Sequence, residues 1–418
     1  MGNTPNIRFK GFTDDWEQRK LGEIITEYKE TVDSDCTLPI LTSSKTEGVI
    51  LQEEHFGRKQ QHDITGYNIL PRNYCTYRNR SDGVDFTFNI NICCDKGIIS
   101  KFYPVFSGKN SDVFFLSLVL NNSEEVVHEI AYTCTGTGQK VLSFLDLQKM
   151  KVRVPNFDEQ KEIAAYFESL DHLITLHQRK GDETKKLKKF MLQKMFPKKD
   201  AKKPEIRFAG FTDDWEQRKF DEVFDCTIPN NTLSRAELNY ESGSVRNIHY
   251  GDILIKYGSV VDVQNDEIPF ATGKSSDDFK GALLQDGDII IADTAEDETT
   301  GKACEIGNSQ GLDVVSGLHT MVCRPRNKMA LGYLGYYLNS DAYHHQLLPL
   351  MQGIKVLSLS RTNVQKTMVC YPKSKAEQQL IADCFRNLDN LITLHQRKCD
   401  ELKEFKKYML QNMFPQKG

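Results

Sequence analysis

Two segments of this chain occur twice with little change. Residues 5–24 (PNIRFKGFTDDWEQRKLGEI) return as residues 204–223 (PEIRFAGFTDDWEQRKFDEV), with fifteen of twenty positions identical. Residues 171–197 (DHLITLHQRKGDETKKLKKFMLQKMFP) return as residues 389–415 (DNLITLHQRKCDELKEFKKYMLQNMFP). The sequences between the copies diverge almost completely. This pattern predicts two modules of one kind that share a frame and differ in surface.

Length and composition are typical of a folded protein without membrane segments. A chain of 418 residues allows two or three domains with sizeable cores. It has no apolar run of about 18 residues that would span a bilayer, and its first residues lack the apolar core of a secretory signal. We therefore expect a cytoplasmic protein. Its eleven cysteines include no CxxC pair and fit reduced thiols better than a disulfide framework or a zinc site.

The net charge of −4 hides regional differences. Residues 159–199 hold ten Lys and Arg against six Asp and Glu, and residues 376–418 hold seven against six. The diverged segments between the repeats, which we call the inserts, are net acidic. Residues 20–158 hold fifteen Lys and Arg against eighteen Asp and Glu, and residues 200–375 hold nineteen Lys and Arg against twenty-five Asp and Glu. Charge alone therefore does not predict a nucleic-acid-binding protein.

Two long helices are predicted from apolar spacings of three and four. The first covers Glu159 to Phe196, and at 1.5 Å per residue it is roughly 57 Å long. The second covers about Ala376 to Phe414. Each is followed by a proline, Pro197 or Pro415, which cannot continue a helix.

The apolar positions of both helices follow a heptad repeat, which is the signature of a coiled coil. In the second helix they are Ile381, Phe385, Leu388, Ile392, His395, Cys399, Leu402, Lys406, Met409 and Met413. In the first helix they are Ile163, Phe167, Leu170, Ile174, His177, Gly181, Thr184, Lys188, Met191 and Met195. Gly181 weakens the first helix by about 1 kcal/mol relative to alanine.

Connectivity favours antiparallel pairing of these helices. The second insert leaves the first helix near Pro197 and enters the second near Pro372, and the ends of a domain are usually close together. The pairing predicts one insert at each end of a rod, related by a pseudo-twofold axis. His177 and His395 would then meet near the middle as a polar register layer, the alternative being two packed or solvated histidines without a special role. No third ligand has a spacing that would suit a metal.

The inserts have the pattern of mixed α/β modules. In the second, residues 251–255 (GDILI) and 287–291 (GDIII) are predicted strands, and a helix is expected from Leu331 to Leu348. In the first, residues 68–78 and 85–92 are predicted strands, and residues 113–132 contain a predicted helix. The inserts close on similar sequences, residues 138–143 (GQKVLS) and 353–358 (GIKVLS).

Catalytic motifs are weak. Gly273-Lys274-Ser275 lacks the upstream glycine of a phosphate-binding loop, and Gly136-Thr-Gly138 lacks the third glycine of a dinucleotide fingerprint, so a turn is the favoured role for the second. The repeated carboxylate pairs Asp14-Asp15 and Asp213-Asp214 stand beside the only two tryptophans. Their spacing to Glu17 and Glu216 favours a helix start or a turn anchored by a buried indole over catalysis.

Three features of the chain resemble a known protein family. They are the repeated RFxGFTDDWEQRK openings, the two unlike inserts, and the two helices with EQ near their starts and MLQxMFP at their ends. Together they make the chain similar to the specificity subunits of type I restriction-modification systems, over essentially its whole length. The resemblance implies an α+β fold, with target recognition domains at residues 1–158 and 200–375. Residues 159–199 and 376–418 would be the spacer helices.

In that family each recognition domain reads one half of a bipartite, asymmetric DNA sequence. The resemblance also implies two methyltransferase subunits and two motor-nuclease subunits as partners. S-adenosylmethionine, ATP and Mg would belong to those partners, and this chain would bind no cofactor or metal and catalyse nothing by itself. Two modules on a rod of about 5 nm fit sites about one turn of B-DNA apart, roughly 34–36 Å.

Candidate DNA-binding residues are side chains on loops that can donate hydrogen bonds to base edges, several of them beside aromatic residues. In the first insert they are Ser44, Lys45, Arg58, Lys59, Gln60, Gln61, Arg78, Asn79 and Arg80. In the second they are Arg246, Asn247, Lys256, Tyr257, Lys274, Ser275 and His319. For each of them the alternative is a solvated surface group.

Two other classes of function remain open from the residues. One is a structural tether, in which paired domains on a coiled coil bind proteins rather than DNA. The other is a self-sufficient DNA enzyme. Neither explains why the frame is duplicated while the inserts diverge. The methionines at the helix ends, Met191, Met195, Met409 and Met413, are predicted core residues, the alternative being a docking surface for a partner.

Overall fold

The computed structural model describes residues 4–59, 63–83, 85–136, 139–199 and 201–415. The chain divides into two compact units. The first unit comprises residues 1–178 and 397–418, and the second comprises residues 179–396. Each unit therefore holds one insert together with one part of each long helix.

The first unit is a mixed α/β module. Its elements are β1 (Glu17–Lys20), α1 (Leu21–Ile24), β2 (Ile25–Tyr28), β3 (Leu41–Ser44), β4 (Gly48–Leu51), α2 (Gln52–Phe56), β5 (Asn68–Pro71), β6 (Cys75–Tyr77), β7 (Arg80–Ser81), β8 (Phe88–Ile90), β9 (Lys96–Ile99), β10 (Val105–Gly108), α3 (Val113–Asn122), α4 (Glu124–Thr133), β11 (Lys140–Val141), α5 (Phe144–Lys149), β12 (Lys151–Val154) and the start of α6 (Phe157–Lys194). In its described part, strands pair antiparallel in the order β2-β10-β6-β8, with separate pairs β1-β12, β3-β4, β5-β9 and β7-β11.

The second unit repeats the plan with more strands. Its elements are β13 (Glu216–Lys219), α7 (Phe220–Val223), β14 (Phe224–Asp225), β15 (Leu238–Asn239), β16 (Val245–Ile248), α8 (Tyr250–Ile255), β17 (Val260–Asp262), β18 (Phe270–Ala271), β19 (Ile289–Ala292), β20 (Thr294–Ala295), β21 (Ala303–Gly307), β22 (Asp313–Ser316), β23 (Thr320–Pro325), α9 (Tyr333–Leu338), α10 (Asp341–His344), β24 (Leu357–Ser358), α11 (Arg361–Val364), β25 (Met368–Tyr371) and the start of α12 (Lys375–Asn412). Short 3-10 helices lie at Arg235–Glu237, Ser276–Phe279 and Leu348–Leu350.

The sheets of the second unit are mixed. Among its described residues, one sheet has the order β14-β23-β19-β21-β17 and another the order β15-β18-β16-β22, with pairs β13-β25 and β20-β24. Strands β17 and β21, and strands β16 and β22, run parallel. The frame strands agree between units, since β1 pairs with β12 just before α6 and β13 pairs with β25 just before α12.

In the first unit the start of α6 packs antiparallel against the end of α12. Phe167 stacks on Phe414 with ring centroids 6.3 Å apart, Lys406 Nζ lies 2.6 Å from an Asp171 carboxylate oxygen, and the Cys399 thiol contacts the carbonyl of Ile174. Residue numbers thus fall along one helix as they rise along the other. The predicted antiparallel pairing is confirmed within this unit.

The second unit shows the same pairing between the end of α6 and the start of α12. Phe196 stacks on Phe385 at 5.7 Å, and Lys188 Nζ lies 2.5 Å from an Asp389 oxygen. Lys188 and Asp389 occupy the repeat positions of Lys406 and Asp171, so both units form the same interhelical ion pair from duplicated residues. A half-buried pair that still meets solvent adds about 1 kcal/mol, but it penalises a shifted register.

The predicted heptad seam is confirmed, since each of its positions on α6 and α12 is buried or half-buried. Met195 and Met413, 2% and 1% exposed, lie in the cores of their units, as the core prediction requires. His177 on α6 and His395 on α12 are both half-buried. Their role as a register layer stays a prediction.

The repeated opening segments explain the EQ dipeptides at the helix starts. Arg8 forms a bidentate ion pair with Glu159, at 2.6 and 2.7 Å, and Arg207 forms the same pair with Glu377, at 2.7 and 2.9 Å. Glu159 is 0% and Glu377 1% exposed. The hydrogen bond to Glu159 raises the pKa of Arg8, as the bond to Glu377 does for Arg207. We call these pairs the frame clasps, because each joins an opening segment to a long helix.

The glutamines that follow bind the inserts to the same helices. Gln160 accepts hydrogen bonds from the Ser111 hydroxyl at 2.6 Å and the Asp112 amide at 3.0 Å, and it donates to the carbonyl of Pro155. Gln378 accepts from the Ala330 amide and donates to the carbonyl of Pro372. Both side chains are buried, so the duplicated residues hold two different inserts by the same contacts.

Several local predictions are wrong. Residues 250–255 form helix α8 rather than a strand, because Asp252 pairs with Arg235 and Ile255 is 90% exposed, which leaves no buried apolar run. The helix expected from Leu331 to Leu348 is interrupted between α9 and α10, because the backbone of Ser340 is extended. Residues 113–132 do contain helix, as predicted, in two parts, α3 and α4, that meet at Ser123.

Other boundaries also differ. The strand predicted over residues 68–78 is split into β5 and β6 by Asn73, whose φ of +62° is not that of a strand. The strand predicted over residues 85–92 is limited to β8. At the repeated openings Glu17 and Glu216 begin strands, so the helix-start interpretation is wrong. Trp16 and Trp215 are 2% and 3% exposed, which confirms the buried indoles, and the backbone bends at Asp14 and Asp213.

Candidate nucleic-acid interface

A cleft of about 210 Å³ in the first unit gathers three of the predicted DNA-binding residues. Lys45 comes from the turn after β3, Arg78 follows β6 directly, and Arg80 is the first residue of β7. The remaining lining side chains are polar or aromatic: Ser43, Ser81, Asp82, Asp85, Phe86, Thr87 and Tyr103. We call this the arginine cleft.

Neighbouring contacts fix the shape of the arginine cleft. Lys45 pairs with Asp85, and this hydrogen bond lowers the pKa of the Asp85 carboxyl. The Arg80 guanidinium lies over the Phe102 ring at 4.6 Å, a cation–π contact that orients it without using its hydrogen-bond donors. Arg78 is exposed and forms no ion pair with another residue in the described part of the chain. Its five N–H donors are therefore free for a ligand.

The other candidates of the first insert lie outside the arginine cleft or take part in hydrogen bonds with the backbone. The Ser44 hydroxyl accepts from the amides of Thr46 and Glu47, which holds the β3–β4 turn. Asn79 is half-buried, and its backbone pairs with Phe102 and Leu142. Arg58 and Lys59 are exposed beyond α2, and neither lines the arginine cleft. Gln60 and Gln61 lie outside the described residues.

Two second-insert candidates are buried. Asn247 is 0% exposed, and its side-chain amide donates to Asn231 at 3.1 Å. Tyr257 is 4% exposed, its hydroxyl donates to the carbonyl of Glu267 at 3.2 Å, and burial raises its pKa. Both side chains pack in the interior of this unit. Sequence reasoning placed them on accessible loops because it took α8 for a strand.

The remaining candidates of the second insert occupy separate parts of its surface. Lys256 is exposed, 4.7 Å over the Tyr240 ring and paired with Glu267 at 2.6 Å. Arg246 is half-buried over the Phe270 ring at 5.2 Å.

Lys274 and Ser275 precede the 3-10 helix of residues 276–279, and both are exposed. Ser275 caps that helix with Asp278, so the Gly273-Lys274-Ser275 motif is a turn, not a nucleotide loop. His319 is exposed with φ +54°, 5.3 Å from the Tyr250 ring and 3.5 Å from Asp293.

Sequence reasoning missed two polar features. Arg235 makes two hydrogen bonds to Asp252, at 2.9 and 2.7 Å, and its guanidinium lies 3.4 Å from the hydroxyl of Tyr240, a half-exposed aromatic residue. Asp82 adds an acceptor to the arginine cleft. The sequence did contain one signal near Arg235: Ser234 and Glu237 have the spacing of a capping box.

Neither a membrane span nor a metal cluster is found in the part of the chain that the structure describes. No described helix combines the length and the apolar character needed to cross a bilayer. Within the same residues, no group of three or more His, Cys, Asp or Glu side chains is arranged to hold a metal ion.

Comparison with known proteins decides the family. The model of the type I restriction modification DNA specificity domain matches residues 13–186 and 212–404. The chain belongs to this specificity family. The two matches fall on the two inserts with their following helices, so the duplication seen in the sequence is a duplication of this domain.

Three individual proteins are similar to this chain. The chain is 24% identical over 329 residues to the type I restriction enzyme MjaVIII specificity subunit of Methanocaldococcus jannaschii, covering 75% of this chain and 73% of the relative. It superposes on the type I restriction-modification S subunit of M. genitalium with a TM-score of 0.58 at 12% identity, covering 99% and 100% of the two chains. The HsdS subunit of Thermoanaerobacter tengcongensis matches with a TM-score of 0.46 at 16% identity over 99% of each chain. At 12% identity the likeness to the M. genitalium subunit shows the fold alone.

Proposed function

We propose that this specificity subunit selects the DNA target of a type I restriction-modification complex, each insert reading one half of a bipartite, asymmetric sequence. The duplicated family match carries the proposal, because it assigns the same domain to two inserts with different surfaces. Residues that differ between the inserts then read different bases, and the shared frame holds both in the same way. The assignment of residues 1–158 and 200–375 as recognition domains is part of this proposal.

Base readout in the first insert is assigned to the arginine cleft. Arg78 presents free guanidinium donors, which suit the O6 and N7 acceptors of guanine. Asp82 in the same cleft is an acceptor of the kind that pairs with the N4 amino group of cytosine. Donors and acceptors side by side can distinguish one base pair from its reverse, which an asymmetric half-site requires.

The chemistry is assigned to partner subunits that dock on the duplicated helices. Large apolar side chains are exposed at repeat-equivalent positions, Leu173 with Leu391, Leu187 with Phe405 and Phe190 with Tyr408, each between 41% and 54% exposed. Exposed apolar side chains at matched positions are suited to two copies of one partner. We assign them to two methyltransferase subunits, with two motor-nuclease subunits completing the complex. In this assignment the chain itself is a non-catalytic, cytoplasmic component.

Methylation mapping tests this function directly. DNA from cells that express this chain with its cognate methyltransferase subunits should carry a methylated split motif that is missing from cells lacking only this chain. Exchanging residues 20–153 for the corresponding insert of another family member should change one half of the motif and leave the other half intact. Identical methylation patterns with and without a well-expressed chain would refute the proposal and favour the protein tether.

Substituting Arg78 by alanine should relax one base position of one half-site. The loss of a guanidinium–base contact costs about 1–3 kcal/mol against the preferred base, so affinity for the target should fall roughly 5- to 150-fold. Competition binding with duplexes that vary one base at a time measures both effects. Arg72→Ala is the matched control, because Arg72 is an exposed arginine of the same unit that pairs with Asp95 outside the cleft. An unchanged base preference in Arg78→Ala would remove Arg78 from the readout.

A further inference from the structure

In a DNA-binding protein with a duplicated frame and two different inserts, phosphate contacts and base contacts should lie in different parts of the chain. Contacts to the DNA backbone position a protein but carry no sequence information, whereas contacts to base edges specify the sequence. Two different half-sites therefore need different base-reading residues and the same phosphate-binding residues. The first belong in the diverged inserts, and the second belong in the duplicated frame.

The frame retains three lysines at matched positions near the ends of both long helices. Lys185, Lys188 and Lys189 on α6 correspond to Lys403, Lys406 and Lys407 on α12, whereas Lys186 is replaced by Glu404. Lys406 and its equivalent Lys188 form the interhelical ion pairs. The outer two lysines of each set are four residues apart and lie on one helix face.

In the first unit these lysines line a groove of about 580 Å³. Its floor is formed by α6 and α12, and its walls include Thr46 from the β3–β4 turn and Glu124 from the start of α4. We call it the lysine groove. It is open and polar, as a surface that binds a hydrated phosphodiester backbone must be.

The charges in the lysine groove leave two cations available. Lys406 is neutralised by Asp171, so Lys403 and Lys407 face a single remaining carboxylate, that of Glu124. Neither Lys403 nor Lys407 forms an ion pair with another residue that the structure describes, and both are exposed. An anion from outside the chain would explain why the duplication retains these two lysines although they form no ion pair within the described structure.

The lysine groove also adjoins the arginine cleft. Thr46 lines the groove and the preceding residue, Lys45, lines the cleft, so one turn of the β3–β4 hairpin separates the two. A strand whose bases enter the cleft can therefore continue its backbone past this turn into the groove. This continuity favours a nucleic acid over an acidic protein segment as the occupant.

We propose that Lys403 and Lys407 bind backbone phosphates of the DNA beside the half-site read by the first insert. By the duplication, Lys185 and Lys189 do the same for the second insert. The inference rests on the proposed function, since it names the phosphate contacts of that interface. It also locates cationic contacts outside inserts that are themselves net acidic.

The test compares Lys403→Gln/Lys407→Gln with wild type in the complex with cognate methyltransferase subunits. Each lost phosphate contact reduces the slope of log affinity against log salt by about 0.9, so the double variant should lower the slope by about 1.8. Relative to the comparison at 1 M salt, affinity at 0.1 M salt should fall about 60-fold, equally for the target and for an unrelated duplex, and the methylated motif should not change. Lys149→Gln/Lys161→Gln is the matched control, with the same charge change at two exposed lysines of this unit that lie outside the groove, and its salt slope should equal that of wild type.

Other results would overturn the inference in distinguishable ways. An unchanged salt slope would show that these lysines contact no phosphate. A loss of methyltransferase capture without DNA would make the groove a protein-docking site, and a changed motif would make the lysines base readers. If the wild-type complex itself showed no preference for any sequence, the proposed function would fail, whatever the lysine variants did.

Discussion

Replacing Arg8 by alanine should destabilise the first unit by about 3–5 kcal/mol. The substitution leaves the Glu159 carboxylate, which is 0% exposed, without the guanidinium that makes two hydrogen bonds to it. Breaking a buried ion pair from one side costs far more than the pair contributes, because an unpaired charge stays in the interior. Hydrogen exchange of peptides from the first unit should accelerate, with those of the second unit unchanged.

The same substitution in the second frame clasp should cost less. Trp215 Nε1 donates to Glu377 Oε1 at 3.2 Å, so Arg207→Ala leaves that carboxylate one side-chain donor. In the first unit the corresponding Trp16 Nε1 has no hydrogen-bond partner among the described residues. Arg8→Met/Glu159→Met should recover most of the loss, since both charges are removed together. Equal destabilisation by Arg8→Ala and by Arg19→Ala, an exposed frame arginine, would contradict the buried-charge explanation.

Replacing Gly335 by alanine should destabilise the second unit by about 3 kcal/mol. A Cβ at this position of α9 would lie 2.0 Å from the carbonyl oxygen of Ser259 and 3.1 Å from Glu305 Cβ, so the backbone itself must move. That movement would also disturb the 2.8 Å hydrogen bond from the Gly335 amide to Glu305, whose burial raises its pKa to about 7. Denaturant unfolding of the full chain, followed by hydrogen exchange in the second unit, measures the loss.

Gly258 provides the matched control for this prediction. The nearest atom to a Cβ at Gly258 is a carbonyl oxygen 4.0 Å away, and its backbone is outside the left-handed region. Gly258→Ala should therefore stay within about 1 kcal/mol of wild type. Similar stabilities for the two alanine variants would show that α9 moves away from Ser259 at little cost.

The long helices and their pairing were predictable from the sequence, because the heptad repeat extends over 33 residues in each helix and connectivity limits the direction of pairing. The frame clasps were not. Arg8 and Glu159 are 151 residues apart, and no local pattern distinguishes a buried arginine from an exposed one. The duplication showed only that an arginine and a glutamate occur at these positions in both copies.

Short elements were the least predictable. Residues 250–255 have the composition of a strand, and only the tertiary pairing of Asp252 with Arg235 identifies them as a helix. For the site, the sequence identified the cationic loops that form the arginine cleft. It also selected Asn247 and Tyr257, because their burial depends on strands and loops that are distant along the chain.

The stretches of chain that make up each unit decide the order in which the two units can be completed during translation. The second unit is continuous, residues 179–396, whereas the core of the first includes Met413 and Phe414, which directly follow α12. A ribosome therefore finishes all residues of the second unit before it supplies the last core residues of the first. Until then the ring surfaces of Trp16, Phe115 and Phe167 that Phe414 covers stay unprotected. The first unit, although its synthesis begins first, is thus the last to complete its core.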